Sequence, residues 1–231
     1  MSTWFAIPSK KPAPEAQACI DKWRSMGYKT AIWRDDGDAE VECDLLMTGA
    51  YQGYAIAVNA LCRAVLLHDG DAEWIVTGGD DADPDLTHAP EDIARECTEH
   101  FGGTFGVMQP TGDRWGETPG ERGHSRGRGA YIDLVAGSPW LGREWCRRMY
   151  GGQGPLWPGW GHMFEDQELQ DLATQYSVFW QRPDLVHYHN HWGRIMGRMP
   201  EYMRKANAEF NVSAEIFRQR KAANFPSHEP I

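Results

Sequence analysis

The sequence predicts an α/β protein with a mostly parallel central sheet flanked by helices, as a single domain over 1–231. Two observations carry that prediction. Over the first 85 residues, runs of strand character alternate with runs of helical periodicity, an order that builds parallel sheets. Two acidic clusters, Asp35/Asp36 and Asp80–Asp83, stand where the second and third strands end. In open parallel sheets, ligands bind at those ends.

Taken in order, "TWFAIPS" (3–9) is a short strand stopped by Pro8, which lacks the N–H that a central ladder needs. Ala16, Cys19, Ile20, Trp23 and Met26 recur at helical spacing within 14–27, and Gly27 ends that helix. "YKTAIW" (28–33) is the second strand, closed by the polar turn "RDDGD". A second helix covers about 53–67, with Ala57, Leu61, Ala64 and Val65 on one face, and "WIVT" (74–77) is the third strand. Residues 86–101 read as a helix and 110–130 as a long glycine-rich loop, a feature that in compact domains is usually functional or mobile. "YIDLVAGS" (131–138) resumes as a strand, with a helix at about 140–150 and a second loop, rich in glycine and tryptophan, at 151–161. A helix over 162–176, strands at "VFWQ" and "LVHYH", and an amphipathic helix over 200–222 complete the order.

Bulk properties narrow the function. No apolar run approaches the roughly 18–20 residues of a membrane span, and the N-terminal stretch lacks the basic and long apolar blocks of a signal peptide. The five cysteines are odd in number and form no CxxC pair, which argues against a disulfide framework or a zinc ribbon. A reducing, cytoplasmic setting is the expectation. A net charge of −10 argues against polyanion binding by the whole surface but leaves room for a local basic groove. The eleven tryptophans serve either as core or as platforms for flat ligands.

The densest chemistry lies in "WIVTGGDDADPD", where Asp80, Asp81, Asp83 and Asp85 follow a strand. The dinucleotide G-x-G-x-x-G and the P-loop G-x-x-x-x-G-K-[ST] are both absent, so phosphate binding here calls for a metal. Carboxylates suit Mg²⁺ or Mn²⁺, and either ion holds a diphosphate. The bland reading of the same residues is a turn and helix-cap cluster. Three further signals join it. Glu165 and Asp166 open a helix after an aromatic loop, where the helix dipole favours acids in any case. His187, His189 and His191 alternate, which in a strand places all three on one face, as a metal trio or as structural histidines. "GAYQGYAIAVNAL" brings glycines to a helix that carries Asn59 within an apolar pattern.

In their order these pieces resemble a nucleotide-sugar glycosyltransferase of the GT-A fold, a Rossmann-like architecture, close to the inverting family-2-like enzymes. The resemblance spans most of the chain: "FAIPS", "WRDDGD", "QGYAIAVNAL", "WIVTGGDDADPD", "AGSPWLGREW", "GWGHMFEDQEL" and "VHYHNHWG". It implies transfer of a sugar from a nucleotide-diphosphate donor, with a UDP-sugar expected, to an acceptor hydroxyl. It also implies a nucleotide-binding half over about 1–85, an acceptor and catalytic half over about 86–199, and a C-terminal helix and tail over about 200–231. Pro8, Ser9 and Asp35 or Asp36 would hold base and ribose, with Asn59 counted among the donor-binding residues. Asp81 and Asp83 would carry Mn²⁺ or Mg²⁺ under the diphosphate, supported by Asp80, although "GGDDAD" leaves the register open between Asp81/Asp83 and Asp80/Asp81. Asp166 would be the general base, with Glu165 as its alternative, and His189 or His191 would complete the metal shell.

For the acceptor, Arg122, Arg126 and Arg128 on the long loop and Arg143, Arg147 and Arg148 on the next helix form a basic patch. Solvated charges paired to Asp113, Glu117 and Glu121 are the plain reading. The sharper one is DNA carrying a hydroxymethylated pyrimidine, as in the DNA-modifying glycosyltransferases of bacteriophages, which would place the protein in a host cytoplasm. Trp115, Trp157 or Trp160 would stack the flipped base. The competing readings are a glycosyltransferase for saccharides or small molecules, a metal-dependent nucleotidyltransferase or phosphohydrolase, and a non-catalytic carbohydrate- or nucleotide-binding module.

Overall fold

The computed structural model describes residues 1–113, 137–194 and 198–231. The chain runs β1 (Ser2–Pro8), α1 (Ala13–Ser25), β2 (Lys29–Arg34), β3 (Leu45–Thr48), α2 (Tyr54–His68) and β4 (Ala72–Val76). It continues with β5 (Ala82–Asp83), α3 (Pro90–Phe101), β6 (Val107–Pro110), β7 (Trp140–Gly142) and α4 (Arg143–Gly152). The last described elements are α5 (Glu165–Gln175), β8 (Phe179–Arg182), β9 (Tyr188–His189), α6 (Glu201–Ala208) and α7 (Phe210–Ala222).

Seven strands form one sheet in the order β3-β2-β1-β4-β7-β6-β8. β1 lies inside it, and Thr3 to Ile7 are all buried, as expected of a strand covered on both faces. The pleat then sorts its side chains. Trp4 and Ala6 join one core with Val58, Leu61, Trp145 and Leu172, while Phe5 and Ile7 join the other with Ile20, Trp23, Ile93 and Cys97. Thus α2, α4 and α5 cover one face and α1 and α3 the other. The pairings β1–β2, β1–β4, β2–β3 and β6–β8 are parallel, and β7 runs antiparallel to both β4 and β6. The mixed α/β, mostly parallel, single-domain expectation holds.

The direction of β7 matters for function. β1, β2 and β4 end at one edge, where Ser9, Asp35 and Asp80 follow them. β7 delivers α4 to the opposite edge, where Arg143 Nη1 donates to the carbonyls of Gly70 (2.9 Å) and Ala72 (2.7 Å). A separate two-stranded ladder, β5 with antiparallel β9, sits beside the first edge.

Several boundaries differ from the sequence expectation. β3 and β6 were not anticipated: β3 is a half-buried edge strand, and β6 (Val107–Pro110) falls in the unassigned stretch between the predicted helix at 86–101 and the loop that begins at 110. Residues 140–142 are strand rather than helix, and regular helix stops at Arg148, because Met149, Tyr150 and Gly151 leave helical dihedrals. The C-terminal helix is two helices, α6 and α7, meeting at Glu209. The predicted strand at 131–136 and nearly all of the 110–130 loop, with Arg122, Arg126, Arg128 and Trp115, lie outside the described residues. Among those described, no helix is long and apolar enough to cross a membrane, and all five cysteines are free thiols.

Candidate active site

The turn after β1 is built first. Arg34, at the end of β2 and 2% exposed, donates from Nη1 to the carbonyls of Ser9 (3.0 Å) and Lys11 (2.7 Å), pinning the turn from beneath. Ser9 Oγ then donates to Asp80 Oδ2 at 2.6 Å, and Lys11 Nζ donates to the Asp80 carbonyl at 2.6 Å. Lys10 pairs with Asp35 at 2.5 Å and lies 3.5 Å from Asp38. Pro8, Ser9, Asp35 and Asp80 therefore gather in one acidic cluster at the strand ends, while Asp36 is exposed on the neighbouring turn. Lys10 and Lys11 were passed over in the sequence; their position between a strand end and two acidic clusters was the available signal.

Asp81, common to both possible registers of the D-x-D, lies beside a histidine. Its Oδ1 lies 3.3 Å from His189 Nε2. Burial opposes ionisation of Asp81, but the hydrogen bond and charge of His189, with Lys11 and His191 behind, outweigh it and hold the carboxyl at about 2. Gly79 leaves room beside it, because a Cβ there would press on the Asp81 carboxylate and displace it. Asp83, expected as a metal ligand, instead faces α1, where Lys22 Nζ donates to its two oxygens at 2.8 and 2.9 Å. Asp85 is buried structure: Oδ1 accepts from Thr87 and His88, and Oδ2 accepts from the Val186 N–H at 2.9 Å.

Two of the three histidines meet Asp81, not three. His189 on β9 lies opposite Ala82 of β5, and the His191 ring centre is 5.1 Å from that of His189. The His189 backbone is gripped from both sides. Its N–H donates to Asp113 Oδ2 (2.9 Å) and its carbonyl accepts from Arg194 Nη1 (2.8 Å), and Asp113 and Arg194 form a buried bidentate pair. His187 lies before the two-residue β9 and enters the core. Trp140 Nε1 donates to its Nε2 (3.4 Å) and its Nδ1 lies 3.0 Å from Ser138 Oγ. Burial lowers its pKa to about 4, so it is a neutral structural imidazole.

The carboxylate pair arrives from the other side. Gly53, at φ +125°, lets the start of α2 approach the 151–161 loop, where the Tyr54 N–H donates to Gly161 O at 2.7 Å. The Tyr54 hydroxyl lies 3.0 Å from Thr77 Oγ1 and donates to Gly78 O (3.1 Å). Phe164 adopts φ +72°, uncommon outside glycine, and turns the chain into α5. Glu165 is buried, with Oε2 lacking a partner, and Asp166 beside it is half-buried. Burial raises the pKa of both, and for Glu165 the Asp166 charge adds to the effect. Tyr54 and His162 join the site's periphery: the charge of Glu165 bears on the Tyr54 phenol and that of Asp81 on the His162 ring. Neither was singled out in the sequence.

Three expected ligand residues serve the scaffold. Asn59 exchanges two hydrogen bonds with the Leu156 backbone (2.8 and 3.0 Å), which clips the 151–161 loop onto α2 rather than holding a donor. Trp160 is buried and donates to Glu168, and Trp157 lies under the Arg220 guanidinium at 3.6 Å, so neither is an open stacking platform. Arg143 and Arg147 belong to the edge away from the acidic cluster, because β7 runs antiparallel.

Among the described residues no group of three or more histidine, cysteine or acidic side chains is gathered as a metal cage. Asp81 with His189 nevertheless fits a divalent ion. Such ions at nucleotide sites are held by one or two carboxylates with the substrate's phosphates supplying the rest, and an imidazole beside a carboxylate suits Mn²⁺.

No protein-family model matches this chain, and no curated protein matches it. Sixteen chains of solved structure match. One, described as "Crystal Structure of A197 from STIV", is 13% identical, with 82% of this chain and 85% of that chain covered and a TM-score of 0.44.

Proposed function

We propose that this protein is a metal-dependent glycosyltransferase of the GT-A class, moving a sugar from a nucleotide-diphosphate donor to an acceptor hydroxyl. The observation that carries the reading is that acids in unlike surroundings lie on either side of Tyr54: its hydroxyl bonds Gly78, just before Asp81, and the Glu165 charge acts on its phenol. Asp81 is held ionised at about 2 beside His189, whereas Glu165 and Asp166 are pushed up by burial. Environments that drive carboxylates apart assign them different tasks. Asp81, with His189 and His191, would hold Mn²⁺ or Mg²⁺ against the diphosphate. The ion, when bound, stabilises the negative charge of the departing nucleoside diphosphate. Ser9, Lys11 and Asp80 line the floor of the nucleotide side. Lys10 and Asp35 stand where ribose and base would lie.

Asp166 would accept the proton of the acceptor hydroxyl as it attacks the anomeric carbon. One base and one displacement invert that centre. Duplex DNA is the first acceptor to test, on the strength of Arg122, Arg126 and Arg128 between β6 and β7.

The test is incubation with individual nucleotide sugars in Mn²⁺, with and without the acceptor. Release of nucleoside diphosphate, abolished by EDTA, is the expected result. Release of pyrophosphate or phosphate would point to a nucleotidyltransferase or phosphohydrolase, and no turnover with any donor would leave a binding module.

A further inference from the structure

Along the outer side of α2, two adjoining cavities of about 270 and 210 Å³ share Asn59, Arg63 and Gln153. Ile56, Ala60, Arg63 and Leu67 are spaced four, three and four positions apart, one face of a helix, so the groove follows α2 for roughly 16 Å. Its Ile56, Ala60 and Pro158 end is apolar, and its other end is basic, lined by Arg63, Arg143 and Arg147. Among the described residues, no aspartate or glutamate lines either cavity.

The guanidinium groups are held largely by neutral partners. Arg143 is fixed by the carbonyls of Gly70 and Ala72, and Arg63 Nη2 donates to the Gln153 carbonyl at 3.3 Å. Arg147 has one carboxylate, Glu144, at 3.5 Å. Carbonyl partners leave the positive charge uncompensated, and each guanidinium has five N–H donors to offer. Three such groups around one concavity, in a chain of net charge −10, match the fork geometry by which arginine takes phosphate.

We propose that Arg63, Arg143 and Arg147 form a phosphate-binding site separate from the acidic cluster, with the apolar groove along α2 receiving the organic part of the ligand. The two sites lie at opposite ends of β4: Arg143 grips the chain where β4 begins, and Asp80 and Asp81 follow where it ends. The shared chemistry is a phosphoryl group, borne by a free small molecule or by the backbone of a nucleic acid strand.

The test is calorimetric titration of the whole protein in EDTA, once with pyrophosphate and once with a short single-stranded oligodeoxynucleotide. Wild type should bind at least one of them. The double variant Arg63→Gln/Arg147→Gln should lose on the order of tenfold in affinity or more, and Asp81→Ala should bind as wild type does. Binding of pyrophosphate identifies a free phosphoryl ligand; binding of the oligonucleotide only identifies a phosphodiester. Absence of both from wild type, or affinity that survives the double variant, overturns the proposal. Both arginines are exposed, so an unchanged circular dichroism spectrum separates lost binding from lost fold. Turnover plays no part in the readout, so this result and the glycosyltransferase reading stand or fall separately.

Discussion

Asp81 and Asp85 lie four positions apart in one acidic run, and their surroundings give them different work. Asp85 is closed off by the Thr87, His88 and Val186 donors, so Asp85→Ala should cost about 2–4 kcal/mol of stability yet leave Mn²⁺ affinity intact. Thermal unfolding with a metal titration checks both halves. Asp166→Asn should lower turnover by roughly 10²–10⁴-fold with little change in donor affinity. Loss of donor binding with turnover retained at saturation would remove Asp166 from the role of base.

The Glu165–Asp166 pair also sets a pH dependence. Burial raises both pKa values, and a base works only when ionised, so turnover should rise with pH through a limb above the ordinary carboxylate range. The two protons belong to the pair rather than to either residue. The Asp166 charge raises Glu165, whereas Asp166 itself is raised by burial, so Glu165→Gln should leave that limb near its wild-type position. The stability sign follows from the same direction. A raised folded-state pKa gives stability that is present at low pH and lost as pH rises through the folded value. Glu165→Gln should therefore raise the Tm at alkaline pH and change it little in acid.

Among the elements, α7 supports the carboxylate pair most directly. Arg220 donates to both oxygens of Glu168 (2.8 and 2.6 Å), one turn beyond Glu165, and Tyr150 and Trp160 complete that carboxylate's partners. Phe217 stacks on Phe164, the residue in the left-handed turn that starts α5. Arg220→Ala would leave Glu168 buried and uncompensated and should destabilise the fold by about 3–5 kcal/mol, measured by denaturant unfolding. This role was not visible in the sequence, where 200–222 read simply as amphipathic. What periodicity did reveal was α1, α2 and β1, because each carries an apolar pattern along its whole length. β3 escaped because it is a half-buried edge, and the strand expected at "LVHYH" shrinks to the two residues of β9. The alternation that seemed to place three histidines on one face therefore failed at His187.

For the whole molecule, the legible part of the candidate site was its location: Ser9 after β1 and the acids after β2 and β4 converge because those strands are parallel and end together. What the sequence could not disclose was which acids are already engaged. Lys22 sits in another element and claims Asp83, the Leu156 backbone claims Asn59, and the antiparallel course of β7 carries Arg143 and Arg147 to the far edge. Each depends on a contact distant in the chain, whereas the position of Asp81 just after β4 follows from local sequence alone. The measurement that tests the central claim most directly is calorimetric binding of a nucleoside diphosphate, with and without Mn²⁺, to wild type and Asp81→Ala. Wild type should bind the nucleotide far more tightly with Mn²⁺ than in EDTA, and Asp81→Ala should lose that metal-dependent gain while remaining folded. Nucleotide binding indifferent to Mn²⁺, or a full metal-dependent gain in Asp81→Ala, would contradict the account.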